Sequence, residues 1–295
     1  GISEIDDGKS VLLNEDGSVS PREKYCVDKY VFAFEDDYFG GLKEYYALTG
    51  YTPVLPKYAL GNWWSRYHAY TDKEYLALMD KFEQKNIPLT VATIDMDWHI
   101  VKNTPKDAEY KSFQGAGWTG YTFEKELFPD PKGFLSNLKG RNLAVTMNLH
   151  PRDGVRYFEE QYPEMARSCG IDPSTKKTVE FDLTDEKFRD AYFDILHHPY
   201  EEMGVDFWWI DWQQGTKSDV KGLDPLWLLN HYHMLDICRD GNKGIILSRY
   251  AGLGSHRYPL GFSGDTWVVW NSLRLQPYFT ALASNAGYTW WSHDI

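Results

Sequence analysis

Hydrophobic and polar positions change their spacing repeatedly along the chain after about residue 50. Uninterrupted apolar runs, such as those within 89–98 and 205–212, predict strands that are buried on both faces. Between these runs, apolar residues recur every three or four positions, which is typical of an amphipathic helix. The first such helix follows Thr71-Asp72, a good capping pair. The chain is therefore predicted to repeat a strand–helix unit.

Seven strands and five helices follow from this pattern. The strands are expected at 59–66, 89–98, 143–150, 205–212, 244–249, 259–265 and 288–294, and the helices at 72–86, from 131 onward, and at 185–202, 224–239 and 272–285. Regular alternation implies a parallel sheet with right-handed crossovers, and seven consecutive units favour a closed barrel. The predicted fold class is α/β, a (β/α)8 TIM-type barrel that is truncated after its seventh strand.

The domain organisation follows from the same reading. The barrel is expected to span 51–295, with polar insertions near 100–130 and 151–184 and with its eighth unit missing. Residues 1–50 are irregular and stand apart as a trailing domain edge or linker. Because an open barrel leaves an unpaired strand edge, we expect the chain to be a piece of a larger parent protein.

The net charge of the chain indicates which partners to expect, and its cysteines indicate its cellular location. The formal net charge of -12 repels phosphate backbones and anionic lipids, so nucleic acid and membranes are not expected as partners. No leader-like start and no apolar run of about 18 residues is present. Cys26, Cys169 and Cys238 are widely spaced and form no metal-ligand pattern, which favours reduced thiols and a cytoplasmic location. We expect neither a metal nor a cofactor.

Aromatic residues make up 16% of the chain, and several lie at predicted strand ends. Rings with an apolar face and a polar edge suit the binding of a sugar. Such rings can equally fill a large hydrophobic core. For Trp63, Trp64 and Trp98, stacking on a sugar and packing in the core are both possible interpretations.

Polar residues gather where the predicted strands end. In a barrel, these ends converge on one face and form the active site. Carboxylates placed there favour developing positive charge, as in the oxocarbenium-like transition state of glycosidic bond cleavage, which needs two carboxyl groups. Asp211 and Asp265 fit that pair. The full set of strand-end residues is Asp95, Asp97, Asn148, His150, Asp211, Arg249, Asp265, His293 and Asp294.

The order of these motifs resembles glycoside hydrolase family 31, the retaining α-glucosidase family with a (β/α)8 catalytic barrel. Trp209-Ile210-Asp211 is similar to the family's nucleophile signature on strand four. Gly264-Asp265, followed by Trp267, is similar to its acid/base signature on strand six. Arg257 and Arg249 precede Asp265 at successive intervals of eight residues, as in the family (265 − 257 = 8 and 257 − 249 = 8). The resemblance covers roughly 51–295.

The resemblance also implies substrate-binding residues. Asp95 is the first aspartate of a strand-two Asp-x-Asp-aromatic motif, and this aspartate binds the non-reducing sugar in the family. Asp294 resembles the strand-seven aspartate, and Arg249 the arginine that hydrogen-bonds sugar hydroxyls. Trp209 and Phe262, which flank the two catalytic signatures, complete the predicted substrate-binding set.

Three departures from the family pattern affect the interpretation. Trp212-Gln213-Gln214-Gly215 replaces the Met-Asn-Glu that often follows the nucleophile, which changes the expected substrate preference. The strand-eight histidine and the C-terminal β-domains have no counterpart. Residues 1–50 correspond to the trailing edge of an N-terminal β-sandwich. The rest of the parent protein is therefore expected to be needed, and the activity of this chain alone is an open question.

The resemblance implies an exo-acting, α-glucosidase-like retaining glycosidase that works by double displacement on α-linked oligosaccharides or glycosides. Asp211 would attack the anomeric carbon, and Asp265 would act as acid and then as base, desolvated by its neighbours Phe262 and Trp267. Alternatives are an α-transglycosidase, an α-galactosidase or α-N-acetylgalactosaminidase type of the same family, and a sugar-binding barrel without catalysis.

Two weaker signals are interpreted structurally. Residues 115–120 match GxGxxG, but the segment follows no strand and opens no helix, so we expect a loop. His197, His198, His231 and His233 are expected to be solvated surface residues rather than metal ligands.

Overall fold

The computed structural model describes residues 2–4, 11–21, 29–108, 115–212, 223–249 and 252–294. Cys26 and residues 213–215, on which parts of the sequence interpretation depend, lie outside this description. The strands are β1 (Ile2–Glu4), β2 (Val11–Leu13), β3 (Val19–Pro21), β4 (Lys29–Val31), β5 (Trp63–Trp64), β6 (Val91–Ile94), β7 (Ala144–Leu149), β8 (Phe207–Ile210), β9 (Leu247–Arg249), β10 (Gly261–Phe262) and β11 (Trp291–Ser292). The α-helices are α1 (Tyr38–Thr49), α2 (Asp72–Gln84), α3 (Pro131–Gly140), α4 (Tyr162–Ser168), α5 (Glu186–Leu196), α6 (His198–Met203), α7 (Pro225–Ile237) and α8 (Trp270–Asn285).

The described chain forms two compact units, 55–214 and 1–54 with 215–295. In the first unit, β5, β6, β7 and β8 lie side by side and parallel. Every residue of β6, β7 and β8 is buried, as expected for strands covered on both faces. The register aligns Ile94 with Met147 and Leu149 with Ile210. Adjacent strand ends therefore lie at one edge of this sheet.

Helices around this sheet begin at the residues that the sequence indicates. Thr71 caps α2 through a complete capping box with Glu74. Asp130 caps α3, and Pro131 occupies its first turn, where no backbone donor is needed. The helix expected at 185–202 is instead two helices, α5 and α6, separated at His197. Pro199 explains the break, because it lacks the N–H that a continuous helix would require there.

The second unit combines short antiparallel strands with parallel ones. β1 pairs with β4 and β2 with β3, both antiparallel. β9, β10 and β11 pair in parallel, in that order. Helix α1, which the sequence analysis did not anticipate, is capped by Asp37, whose side chain accepts a hydrogen bond from the Gly40 N–H. This unit therefore contains three parallel strands of its own, β9, β10 and β11.

Each of the seven predicted barrel strands contains one observed strand, so the predicted parallel α/β pattern is confirmed within each unit. The observed strands are shorter than the apolar runs. After β6, for example, the buried run continues as a 3-10 turn, Met96–Trp98, instead of extending the ladder. Residues 115–120 form turns and bends, as expected for a loop. Among the described residues, no helix is long and apolar enough to cross a membrane.

The expectation that the paired histidines are solvated is wrong for three of the four. His197 is completely buried, and His231 and His233 are 4% and 2% exposed. Helix α7 is buried on nearly all sides, so its polar residues need partners inside the protein. His231 Nδ1 lies 2.9 Å from the Tyr258 hydroxyl. His198 is the exception, because it is partly exposed and pairs with Asp194 at 3.2 Å.

Leu138 provides a test of the packing around the first sheet. Its side chain is 0% exposed on α3, and Leu138→Ala should lower the free energy of unfolding by about 2–5 kcal/mol through lost burial and a cavity. Lys132→Ala, on the exposed face of the same helix, should change it by less than about 0.5 kcal/mol. Urea denaturation followed by tryptophan fluorescence measures both, and equal effects would refute this packing.

Candidate active site

The unit 55–214 brings three of the strand-end residues together. Asp95, His150 and Asp211 each follow the last residue of their strand, β6, β7 and β8 respectively. Side chains alternate along a strand, so Asn148 and His150 share one face of β7, and Trp209 and Asp211 share one face of β8. The result is a cluster of ionisable side chains at the edge of a buried, mostly apolar sheet.

Asp211 is held by a direct contact with His150. Its Oδ2 lies 3.2 Å from His150 Nε2, and the two side chains are 7% and 2% exposed. The Asp211 backbone N–H also donates to the Leu149 carbonyl at 3.0 Å. A buried carboxylate needs such partners, because desolvation otherwise disfavours its charged form. The ring of His150 therefore orients Asp211 and offsets part of the cost of burying it.

His150 is fixed in turn by a loop to which the sequence analysis assigned no function. The Trp118 ring lies 4.2 Å from the His150 ring, centroid to centroid, and the Thr119 hydroxyl donates to the His150 carbonyl. The flanking glycines allow this approach: a Cβ on Gly117 would overlap the Val101 carbonyl, and one on Gly120 would overlap the His99 ring. The local sequence of this loop carries no signal that predicts the contact with His150.

Asp95 carries a perturbed carboxyl group. Its Oδ1 accepts a hydrogen bond from the Met96 N–H at 2.7 Å. Burial, assisted by the negative charges of Asp211 and Asp97, raises the pKa of Asp95 to about 6. Burial also raises the pKa of Asp97, against the opposing charges of Lys102 and His68. Asp95 is therefore a group that changes its charge near neutral pH.

The tryptophans at the ends of β5 and β6 pack against protein groups. Trp98 is 0% exposed, and its Nε1 donates to the Asn148 carbonyl at 2.8 Å, so it is a core residue. Trp63 lies edge-on to Phe207, and Trp64 lies beside Phe82, with ring centroids 5.4 and 5.2 Å apart. These contacts favour the core interpretation for all three. Trp209 is also buried, and its predicted role in substrate binding stays a prediction.

The unit containing 215–295 brings together the other predicted site residues. Arg249 ends β9 and Phe262 ends β10, and the Arg249 guanidinium carbon lies 5.5 Å from the centre of the Phe262 ring. Arg249 Nη2 also lies 3.6 Å from Asp265 Oδ1. Gly264 adopts a positive φ of 71°, and a Cβ there would overlap the guanidinium. The absence of a side chain at 264 lets Arg249 reach Asp265.

Asp294 is anchored beside Asp265 through its backbone. Its N–H donates to the Ser263 hydroxyl at 2.9 Å, and its carbonyl accepts from the Thr266 hydroxyl at 2.6 Å. These two bonds join the segment after β11 to the residues on either side of Gly264-Asp265. Arg249, Phe262, Asp265 and Asp294 thus form one local cluster.

The expected desolvation of Asp265 by its aromatic neighbours is wrong. The Asp265 side chain is 74% exposed, and Trp267 is 84% exposed. Phe262 is buried, but its ring faces the Arg249 guanidinium. In this unit, therefore, the surroundings of the Asp265 carboxylate are the Arg249 guanidinium and solvent.

Each unit contains one part of the predicted site, and the role of every residue in it stays a prediction. Asp95, Trp209 and Asp211 lie in the first unit, and Arg249, Phe262, Asp265 and Asp294 in the second. Among the described residues of either unit taken alone, no three His, Cys, Asp or Glu side chains are close enough to share a metal ion.

The raised pKa of Asp95 predicts a measurable titration. Carboxyl-carbon NMR should give a midpoint near pH 6, and Asp211→Asn should lower it, because a neighbouring negative charge is removed. Glu202→Gln, an exposed site, serves as the control. Because this pKa lies above 3.8, the stability that the protonated carboxyl provides should be lost as the pH rises from 3.8 to about 6. A midpoint that Asp211→Asn leaves unchanged would contradict the coupling.

Comparison with known proteins finds relatives that are named alpha-xylosidase and alpha-glucosidase. The chain is 25% identical over 293 residues to an alpha-xylosidase of Saccharolobus solfataricus, covering 91% of this chain and 37% of that protein. It is 25% identical to alpha-glucosidase 2 of Bacillus thermoamyloliquefaciens, covering 86% and 35%. The chain thus spans little more than a third of the length of these relatives.

A solved structure and a family model agree with these relatives. The crystal structure of a family 31 alpha-xylosidase from a soil metagenome, complexed with xylose, superposes with a TM-score of 0.67 at 21% identity, covering 88% of this chain and 40% of that one. The model of the glycosyl hydrolases family 31 TIM-barrel domain matches residues 52–295. This match confirms the predicted TIM-barrel fold class and the resemblance found in the sequence. The chain belongs to glycosyl hydrolase family 31.

Proposed function

We propose that the protein is a retaining α-glycoside hydrolase, exo-acting and α-glucosidase-like, which cleaves α-linked oligosaccharides or glycosides by double displacement. The observation that carries the proposal is the buried Asp211 carboxylate, hydrogen-bonded to His150 at the end of β8 in a chain of this family. A carboxylate held in one orientation and shielded from water is suited to attack an anomeric carbon.

Asp211 is the proposed nucleophile. One of its oxygens forms a bond to the anomeric carbon while the glycosidic carbon–oxygen bond breaks, which leaves a covalent glycosyl-enzyme. His150 Nε2, at 3.2 Å, fixes the carboxylate and stabilises its charge before the attack. Water then attacks the same carbon from the opposite side and releases Asp211. Two inversions restore the original configuration.

Asp265 is the proposed acid and base. It gives a proton to the leaving oxygen in the first step and takes one from the attacking water in the second. The Arg249 guanidinium lies 3.6 Å from Asp265. The same guanidinium is the proposed donor to sugar hydroxyls. The ring of Phe262 lies 5.5 Å from the guanidinium carbon of this arginine.

Asp95 and Asp294 are the proposed contacts to the sugar that becomes covalently bound. An ionised Asp95 accepts hydrogen bonds from two hydroxyls, and its pKa of about 6 leaves most of it ionised at neutral pH. Trp209 lies on the same strand face as Asp211 and is proposed to line this subsite.

The relatives guide the choice of sugar. Those reported above are named alpha-xylosidase and alpha-glucosidase, so α-xylosides and α-glucosides are the first substrates to test. Both relatives are much longer than this chain, and we propose that the rest of the parent protein contributes to the active enzyme.

A panel of p-nitrophenyl α-glycosides tests the proposal in the full-length protein. We expect hydrolysis of the α-xyloside or the α-glucoside with initial release of the α-anomer, followed by NMR. Asp211→Asn should lower kcat by roughly 10⁴-fold or more, because no covalent intermediate can form. Asp265→Ala should accumulate the glycosyl-enzyme, because this leaving group needs little acid assistance, and added azide should restore turnover.

Other outcomes point to the alternatives. Hydrolysis of an α-galactoside or an α-N-acetylgalactosaminide only would change the sugar, and predominant transfer to a second sugar would identify a transglycosidase. Substantial residual activity in Asp211→Asn would remove Asp211 from the nucleophile role. Sugar binding without cleavage or covalent labelling would indicate a catalytically silent barrel.

His150 is expected to act as a positioning residue for Asp211. His150→Ala should lower kcat roughly 10- to 100-fold with little change in KM, because a hydrogen bond to a charged group is lost. His150→Gln, which can still donate, should recover part of the loss. His198→Ala, which removes a partly exposed histidine, is the matched control. A loss of thermal stability without slower formation of the glycosyl-enzyme would indicate a structural role only.

A further inference from the structure

A cavity of about 750 Å³ opens in the unit 55–214, apart from the carboxylates of the candidate site. Its walls come from three segments that lie far apart in the sequence: 107–108, 152–157 and 175–180. The second of these begins two residues after His150, which contacts Asp211. One wall of the cavity is therefore close in sequence to His150, which contacts Asp211, and the cavity residues have no assigned role.

Specific bonds fasten the walls of this cavity to one another. Val155 and Val179 form an antiparallel bridge with N–H to carbonyl distances of 2.9 and 3.0 Å. Gly154, with a φ of 70°, lies so close that a Cβ would overlap the Val179 carbonyl. The Tyr157 hydroxyl donates to Asp107 Oδ1 at 2.5 Å. Hydrogen bonds thus hold the three wall segments of the cavity in place relative to one another.

Most charged groups of the cavity already have partners. Arg156 is buried, donates to the Ala116 carbonyl at 2.7 Å and lies 3.5 Å from Asp153. Lys176 lies 3.8 Å from Asp107 and 4.4 Å from the centre of the Tyr157 ring. These contacts neutralise two carboxylates of the cavity. The third, Glu180, also has an interaction of its own.

Two cations of the cavity lack such partners. Arg152 and Lys177 are exposed and form no ion pair with any residue in the described part of the chain. The whole chain carries a net charge of -12, so its overall field repels anions. The lining of the cavity carries four cationic side chains against three carboxylates, so its net charge is positive, opposite in sign to that of the whole chain. Arg152 can also grip an oxyanion with two parallel hydrogen bonds.

We propose that this cavity binds an oxyanion substituent of the substrate, carried by the part beyond the sugar that Asp211 attacks. The substituent is a carboxylate, a sulfate ester or a phosphate ester, held by Arg152 and Lys177. This inference rests on the proposed function. The preferred substrates are therefore α-glycosides whose leaving group carries a negative charge.

The test compares α-linked disaccharides that share the cleaved sugar and differ at the reducing-end sugar. One is neutral, and the others carry a uronate carboxylate, a 6-sulfate or a 6-phosphate. In the full-length protein, kcat/KM should be at least about tenfold higher for one acidic substrate, mainly through a lower KM. The three acidic arms identify the oxyanion. Raising NaCl from 0.05 to 0.5 M should reduce the preference.

Variants assign the preference to the cavity. The double variant Arg152→Ala/Lys177→Ala should lower the ratio of kcat/KM for the acidic over the neutral substrate to about one. The matched double variant Lys132→Ala/Arg167→Ala removes the same two charges from exposed positions outside the cavity and should keep the ratio. A ratio near one in the unmodified protein, or an unchanged ratio in the cavity variant, would overturn the proposal.

A binding measurement separates this proposal from the catalytic one. Calorimetric titration of the same disaccharides into the Asp211→Asn protein requires no turnover. Tighter binding of an acidic disaccharide, lost in the cavity variant, would support the cavity even if the protein cleaved no α-glycoside. Equal affinity for acidic and neutral disaccharides in an enzyme that does hydrolyse α-glycosides would reject the cavity and leave the proposed function standing.

Discussion

Burial of β6, β7 and β8 on both faces is the constraint on which the candidate site depends. Burying a charged side chain in that environment is costly. The strands hold apolar residues and the neutral polar residues Thr93, Thr146 and Asn148, and ionisable side chains appear where the ladder stops. Asp95, His150 and Asp211 occupy those three positions, and the register of the sheet places their strand ends at the same edge. The position of the chemistry follows from the packing of the sheet.

The same burial makes the polar cluster depend on its supporting contacts. Asp211 is hydrogen-bonded to His150, and His150 contacts the Trp118 ring and accepts a hydrogen bond from the Thr119 hydroxyl at its carbonyl. Asp95 accepts a hydrogen bond from the Met96 N–H. Desolvation acts on all of these groups, and it raises the pKa of Asp95 to about 6. Asp265 presents the opposite case, since its side chain is 74% exposed. The two proposed catalytic carboxyl groups therefore experience different environments within their own units.

Much of this arrangement could be predicted from the sequence. Apolar runs located all seven parallel strands, and the acids that end two of these runs, Asp211 and Asp265, indicated the candidate site, because strand ends converge on one face of a barrel. Contacts between distant segments were not predictable. Nothing in the local pattern of 115–120 indicates that Trp118 packs on His150. The burial of His197 likewise depends on long-range packing, which periodicity does not encode.

Gly264 shows how narrowly one of these contacts is determined. Its backbone occupies a left-handed conformation, and the space beside it is filled by the Arg249 guanidinium. Any side chain at this position would meet both a conformational penalty and a steric one, and the second would require the Arg249 guanidinium to move. The residue with no side chain therefore sets the distance between two charged ones, and variation at position 264 would be selected against for electrostatic as well as conformational reasons.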